Sequence, residues 1–438
     1  MVEKIKNILL NKVSGTLCVF PVVLFLSFFP YEGIIASIAN ETICYDPLIK
    51  TIRVFKEGSE MSPPIYFLNS ADRLIISFDD LGEDLRRFRF TIVHCGSDWK
   101  TTSEITAFDY IDGFSEGNID QYTYSYNTTI RYIHYEAFFP TENMRPKLSG
   151  NYLLKVYDED PSRVVFTIRF MVVEQTSVSI IGRVEQASRI DEKITNQQID
   201  FTVNLNGFKV YDVGREIKVV IRQNGRWDNL LTVTKPRFTR GDELDYRFDE
   251  NISFRGGNQY RNFDIKSMIY QTERIARIVY DTANQVFLLT DSPRTYKEYI
   301  TDKDLNGQYF IKNDEHAENS NTEADYAWVH FFLPFPAVLT TGSFHVIGEL
   351  TMWQLNDASK MVFNYDRKGY ELNLLLKQGY YNYLYVLREP LKQVADESFI
   401  EGSHWETEND YTILVYYHET GAQYDRLIAV NFLNSIVR

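Results

Sequence analysis

The chain has 438 residues, too long for one compact core, and at roughly 100–200 residues per domain it predicts two to four domains. Apolar residues make up 44% and charged residues 24%, which excludes long disorder and a polytopic membrane protein. The net charge of −14 argues against a general nucleic-acid binder, because phosphates would be repelled, and the 15% aromatic content favours half-buried sheet.

The first 39 residues differ from the rest. Lys4, Lys6 and Lys12 give a positive start, Val13 to Phe29 carry no charge, and Ser37-Ile38-Ala39 puts small residues where a signal peptidase reads. This three-part pattern predicts a secretory signal over 1–39, cleaved between Ala39 and Asn40. The alternative is a retained anchor, but the apolar run is at the short limit for a span and Pro21 interrupts it. No Arg-Arg pair suggests the twin-arginine route, and neither Cys18 nor Cys44 follows a lipoprotein pattern. Cys44 and Cys95 remain after cleavage, and an exported compartment permits a disulfide between them without establishing one. No second apolar run is long enough to span a bilayer, so direct membrane insertion is not expected.

Beyond residue 50, period-two alternation dominates. Phe166, Ile168, Phe170 and Val172 alternate with Thr167, Arg169, Met171 and Val173. Ile199, Phe201, Val203 and Leu205 alternate with Asp200, Thr202 and Asn204, and Ile217, Val219 and Ile221 with Lys218, Val220 and Arg222. Each run predicts a strand with one more apolar face that must be buried. Turn signals separate the runs: Asp158-Glu159-Asp160-Pro161, Asn224-Gly225, Gly256-Gly257 and Asn306-Gly307. Asn224-Gly225 predicts a tight hairpin with both central residues at positive φ. The best helical candidate is a short stretch near Pro390–Phe399.

Short strands, frequent turns and no alternating helices predict an all-β chain of tandem β-sandwich domains. The expected units are 45–174, a β-rich 175–320 that closes in the polar stretch 313–325, and 326–438. The third unit runs from a strand at Trp328–Leu333 through Phe344–Ile347, Gly348, Trp353 and Met361 to Tyr370–Leu376 and the aromatic strand Tyr380–Leu387. That order resembles the early-set immunoglobulin-like domains that often accompany starch- and glycogen-active enzymes. In such a layout glycines permit tight turns while Trp and Met fill the space between sheets. Those domains can bind glycans through exposed aromatics, so Tyr380-Tyr381-Asn382-Tyr383 is either a stacking platform or a paired strand.

No motif carries chemistry. The seven histidines form no H-E-x-x-H pair and sit beside no cysteine pair at zinc spacing. Phosphate loops, dinucleotide fingerprints and nucleophile elbows are all missing from the sequence. His94 shares a strand face with Phe88, Phe90 and Ile92, and His134 lies within Tyr132-Ile133-His134-Tyr135. Both read as hydrogen-bonded sheet histidines. Asp302, Asp304 and Asn306 match the opening of a calcium loop, but Asn313 stands where the bidentate Glu belongs and no flanking helices are evident. A turn satisfied by Asx side chains is the better reading. Arg255-Gly256-Gly257 likewise reads as a turn before an anion nest. No catalytic residue, cofactor or metal is expected.

Eight segments in order resemble one family. They are His94-Cys95-Gly96-Ser97-Asp98-Trp99, Tyr132-Ile133-His134-Tyr135, Leu148-Ser149-Gly150-Asn151-Tyr152 and Asp304-Leu305-Asn306-Gly307. Tyr326-Ala327-Trp328-Val329-His330-Phe331, Gly379-Tyr380-Tyr381-Asn382-Tyr383, Glu401-Gly402-Ser403-His404-Trp405-Glu406 and Tyr424-Asp425-Arg426-Leu427 follow. Together, from about Tyr45 to near the end, they resemble the type IX secretion system plug protein family of Bacteroidota. The Cys95–Trp99 stretch departs from the family's forms in its middle positions. The resemblance implies a non-enzymatic periplasmic protein whose partner is the outer-membrane translocon β-barrel, and which closes that pore from the periplasm when no carrier occupies its lateral exit. The reading from composition and layout alone, an exported multi-domain glycan-binding protein, stays open beside it.

Overall fold

The structure is a computed structural model that describes residues 40–99, 104–315, 317–392 and 394–436. The expected signal segment and its cleavage bond after Ala39 lie outside the described residues. No helix among the described residues is long and apolar enough to cross a membrane. The described chain is mostly β, with thirty strands, a few helices of one turn and predominantly antiparallel pairing.

Three apolar cores organise it, each fed by two sheets. In the first unit, one sheet holds Ile49–Lys56, Leu74–Asp80, Ile133–Phe139 and Gln121–Tyr124. Opposite it lie Val164–Val173, Gly150–Asp158 and Phe88–Cys95. Ile76, Phe78 and Tyr135 from one sheet meet Phe90, Tyr152, Phe166 and Phe170 from the other. The second core joins Ile199, Phe201 and Val203 to Val219, Ile221, Ile413 and Val415. The third gathers Phe263, Val286, Val329, Phe331, Phe344, Tyr381 and Tyr383.

The alternating runs fold as expected. Phe166, Ile168, Phe170 and Val172 point into the first core, and Ile199, Phe201, Val203 and Leu205 into the second. Their other faces are not solvated, however. Met171, Val173, Val220, Leu414 and Tyr416 form a separate apolar cluster with Cys95, Trp99 and Leu427, which joins the first unit to the second. Periodicity reports that a face needs burial; here both faces of the same strands are covered.

The second and third units are not consecutive along the chain. Strand Ile217–Gln223 pairs with Asp410–Tyr417, which pairs in turn with Arg426–Asn434. These pairings reach across the polar stretch 313–325, where the sequence suggests a boundary. The chain leaves the second unit after the strand Ser253–Arg255, builds the third core between Phe263 and Ile400, and returns to complete the second. Alternation within a strand carries no information about its partner, so this insertion is not visible in the pattern. From Asn40 onward the chain is nevertheless one compact body.

Two local expectations are refined. Asn224 and Gly225 adopt φ of 49° and 73°, and the Arg226 amide donates to the Gln223 carbonyl at 3.0 Å, as a tight turn requires. Pairing resumes only between Ile221 and Leu231, so residues 224–230 make a longer connection than a two-residue hairpin. The expected helical stretch near 390–399 yields a single turn, Ser398–Glu401.

Candidate functional site

The residues singled out for chemistry serve local structure. Asp304 accepts the Asn306 amide at 2.7 Å and the Tyr260 amide at 2.6 Å, while the Asn306 side chain donates to Asp410 at 2.7 Å. Asp302 accepts only the Lys303 amide. The three residues therefore form an Asx turn in which Asp304 and Asp302 accept backbone amides, while the Asn306 side-chain oxygen is buried without a donor; no trio of metal-binding side chains occurs among the described residues. Burial pushes the Asp304 carboxyl up to about 6 against these amides.

Cys44 and Cys95 are both free thiols, which corrects the possible bridge. Cys44 sits opposite Phe166 and packs towards the first core, whereas Cys95 is aligned with Asn151, itself opposite Met171, and packs into the joint cluster. Sheet register and opposite faces keep them apart. In Arg255-Gly256-Gly257 the glycine amides donate to the Thr195 carbonyl and the Ser403 hydroxyl, so no anion nest forms. A side chain on Gly256 would collide with the His404 carbonyl. Tyr381 and Tyr383 are buried in the third core and Tyr380 stacks on Phe310, so these rings form a strand and not an open platform.

The eight resemblance segments converge at the joints between units. Where the first unit meets the second, the Ser97 amide donates to Asp425 at 2.8 Å and the Lys218 ammonium to the Ser97 hydroxyl at 2.7 Å. His94, wholly buried, contacts the Ser149 carbonyl at 3.1 Å and packs edge-on against Tyr152 and Tyr424. Burial holds its pKa below the ordinary range. Tyr416 donates to the Asn151 side chain at 2.7 Å. Gly150 lies so close to His94 and the Asp425 carbonyl that a side chain there would force one of them to move.

The joint between the first and third units is an enclosed charge cluster. Asp79 (0% exposed) accepts from the Lys377 ammonium (1% exposed) at 2.6 Å, from the Tyr326 hydroxyl at 2.6 Å and from His134 at 2.6 Å. Burial alone would raise the Asp79 carboxyl; Lys377 and His134 overcome it and hold the group below the usual carboxylate range. Burial lowers His134, but Asp79 and Glu136 outweigh it and raise its pKa. The Lys377 ammonium also lies 4.1 Å from the centroid of the Tyr132 ring, whose hydroxyl donates to the Ala324 carbonyl at 2.8 Å. Asp325 accepts the amides of Thr129 and Ile130 at 2.8 and 3.1 Å.

Between the second and third units, Arg226 pairs with Glu397 and, at 2.8 Å, with Asp228. The Ser403 hydroxyl donates to the Thr195 carbonyl at 2.6 Å and the Gln197 side-chain amide to the Trp405 carbonyl at 2.7 Å, while within the third unit the Leu305 amide donates to Asn382 at 2.5 Å. Also within the third unit, Glu401 accepts from Arg261 and Arg294 at 2.9 and 2.8 Å. The contacts between units satisfy buried charges across the joints and resist relative movement of the units.

The sequence reading chose His94 and His134 correctly as strand histidines but missed Asp79, Lys377, Arg226 and Glu397. The available signal was a charge set in an apolar run: Asp79 follows Ile75-Ile76-Ser77-Phe78, and Lys377 follows Leu374-Leu375-Leu376. Each charge is tolerable only beside a partner brought from far along the chain.

A family model described as Type 9 secretion system plug protein 1st domain matches residues 49–174, the span of the first unit. A solved hypothetical protein from Parabacteroides merdae is 35% identical, covering 90% of this chain and 99% of its own, with a TM-score of 0.87. Two other solved structures superpose too poorly to bear on the fold. A DNA-bound alkylpurine DNA glycosylase from Pseudomonas fluorescens has 10% identity over 28% of this chain and 29% of its own, with a TM-score of 0.17. A C-terminal domain of a Streptococcus agalactiae AgI/II polypeptide has 8% identity over 87% and 98%, with a TM-score of 0.13. No curated protein matches the chain.

Proposed function

The chain belongs to the type 9 secretion system plug protein family, and on that premise we propose that it closes the periplasmic opening of the outer-membrane translocon pore by binding alone. The observation that carries this reading is the family match, and the joints support it. A pore cover must hold its shape against a wide aqueous opening, and buried pairs such as Asp79–Lys377 and Arg226–Glu397 tie three units into one block. Shape complementarity around a few apolar anchors with a polar rim would supply the affinity. The reading takes the 1–39 segment as a signal removed between Ala39 and Asn40, which delivers the chain to the periplasm. It takes the paired-sheet units as immunoglobulin-like sandwiches serving as rigid scaffold.

Affinity capture of the tagged mature chain from detergent-solubilised outer membrane tests it. Co-recovery of a very large β-barrel, lost on competition with untagged chain, supports plugging. A deletion strain should become leaky to small molecules when its translocon carries no cargo. Unchanged leakage in such a strain, with the barrel present, would sink the proposal.

A further inference from the structure

A second feature of the joint between the first and second units lies outside the plugging reading. Arg169 projects from Val164–Val173 and Arg222 from Ile217–Gln223, both on the faces turned towards the joint. The Arg222 guanidinium lies 4.3 Å from the Trp227 ring centroid. The Arg169 guanidinium lies 5.1 Å from that ring and 4.8 Å from Trp99, and the two indoles meet edge-on at 5.0 Å. Two cations are thus interleaved with two tryptophans.

Their charges are not matched. Arg222 is only 3% exposed, forms no ion pair among the described residues, and its Nε finds no acceptor. Arg169 donates from Nε to the Asn40 carbonyl at 2.8 Å and likewise pairs with no carboxylate, although Glu41 is near enough to act on it. Burial pulls both guanidinium groups down to about 10; the charge of Arg169 adds to this at Arg222, while Glu41 opposes it at Arg169. Leaving guanidinium charge buried without a counter-ion is costly, and the deeply buried Arg53, Arg226 and Arg261 each have a carboxylate.

Both arginines line one cavity of about 390 Å³, within the range of sites that hold small ligands. Ile52, Val54, Met61, Ile168, Trp353 and Phe432 supply apolar wall. The carboxylates in the lining are already engaged: Glu349 accepts the Tyr309 amide at 3.1 Å, and Asp410 accepts the Asn306 and Asn434 side chains at 2.7 and 2.9 Å. Arg53, the third arginine of the lining, pairs with Glu60.

We infer that this cavity binds an amphipathic carboxylate, its headgroup held by Arg222 and Arg169 and its apolar body laid along the wall below Trp227. A planar guanidinium fork matches a carboxylate in two parallel hydrogen bonds, and the apolar wall selects a single charge on an apolar body over a multiply charged anion. The same chemistry is presented by a free organic acid and by the C-terminal carboxylate of an apolar peptide.

Tryptophan fluorescence of the mature chain, titrated with octanoate, octanol and octylamine, tests the inference. Octanoate should give a saturable response at millimolar concentration or tighter, and the alcohol and amine responses should be at least about tenfold weaker. A short apolar peptide offered as free acid and as terminal amide separates the sources. If only the peptide acid binds, the carboxylate belongs to a chain terminus. Arg222→Met and, independently, Arg169→Gln should each weaken the acid that binds about tenfold or more. No saturable response to either acid up to about 10 mM, equal binding of octanol, or binding indifferent to both substitutions would overturn it.

Discussion

The first unit meets the rest of the chain through two buried charge sites built in opposite ways. At the joint with the third unit, Asp79 is enclosed by Lys377, His134 and the Tyr326 hydroxyl, each within 2.6 Å. At the joint with the second unit, Arg169 and Arg222 lie against Trp99 and Trp227 and meet no carboxylate. Asp79, Lys377 and Arg222 are all buried, so the contrast between them is one of pairing. A paired cluster locks two units at the cost of desolvating both charges, and removing one member strands the other. An unpaired cation beside an aromatic ring holds the units less tightly and keeps its hydrogen-bonding capacity for something else.

The largest effect should come from stranding a charge. Lys377→Met leaves Asp79 buried without its cation and should cost about 3–5 kcal/mol in urea unfolding. Adding Asp79→Asn to that chain should restore most of the loss. If the double variant is as unstable as the sum of the singles, the two residues are not coupled and the paired half of the contrast fails.

Asp304 tests the intermediate case, an acid held by amides without a cation. Folding raises its carboxyl from 3.8 to about 6, so the folded chain binds the proton more tightly. Its contribution is therefore full below about pH 4, falls as pH rises to about 6, and is flat above that. Unfolding midpoints of the parent and Asp304→Asn, followed across this window, should diverge by on the order of 2–3 kcal/mol, with the parent losing more on the alkaline side. Parallel curves would show that the carboxyl is ionised throughout.

A smaller change probes the rim of the paired cluster. Tyr326→Phe removes the hydroxyl that bridges Asp79 and Thr51, each at 2.6 Å, and should cost about 1–2 kcal/mol in urea unfolding. The smallest effect belongs to the unpaired site. Arg222→Met deletes a buried charge with no partner to strand, so the thermal midpoint should stay level or rise. A loss comparable with that of Lys377→Met would mean that Arg222 is paired after all, and would erase the contrast.

Much of the fold was legible because it is local. Phe166 to Val173 and Ile199 to Leu205 alternate cleanly, and both became strands with their apolar residues in a core. Asn224 and Gly225 adopted positive φ as their chemistry demands. The joints were not legible, for a reason visible in the same strands. Arg169, Met171, Val220 and Arg222 read as the outward face, yet that face is where two units meet. The partner of Asp79 lies 298 residues away, and nothing within a strand encodes such a distance. The resemblance segments marked the right places without saying why. Only the fold shows that Ser97 and Asp425, or Tyr132 and Tyr326, are neighbours.

The interruption of the second core has a consequence for the order in which the chain emerges. A polypeptide released from its N-terminal end can close its first core once Val173 is free, and its third once Ile400 is free. The second must wait for Tyr411 to Leu433, with Ile199, Phe201, Val219 and Ile221 unsheltered meanwhile. The middle of the sequence is thus the last part to mature. A ribosome or exporter that stalls shortly before Asp410 therefore releases two finished blocks joined by a sticky, half-built one, a ready substrate for chaperones and proteases.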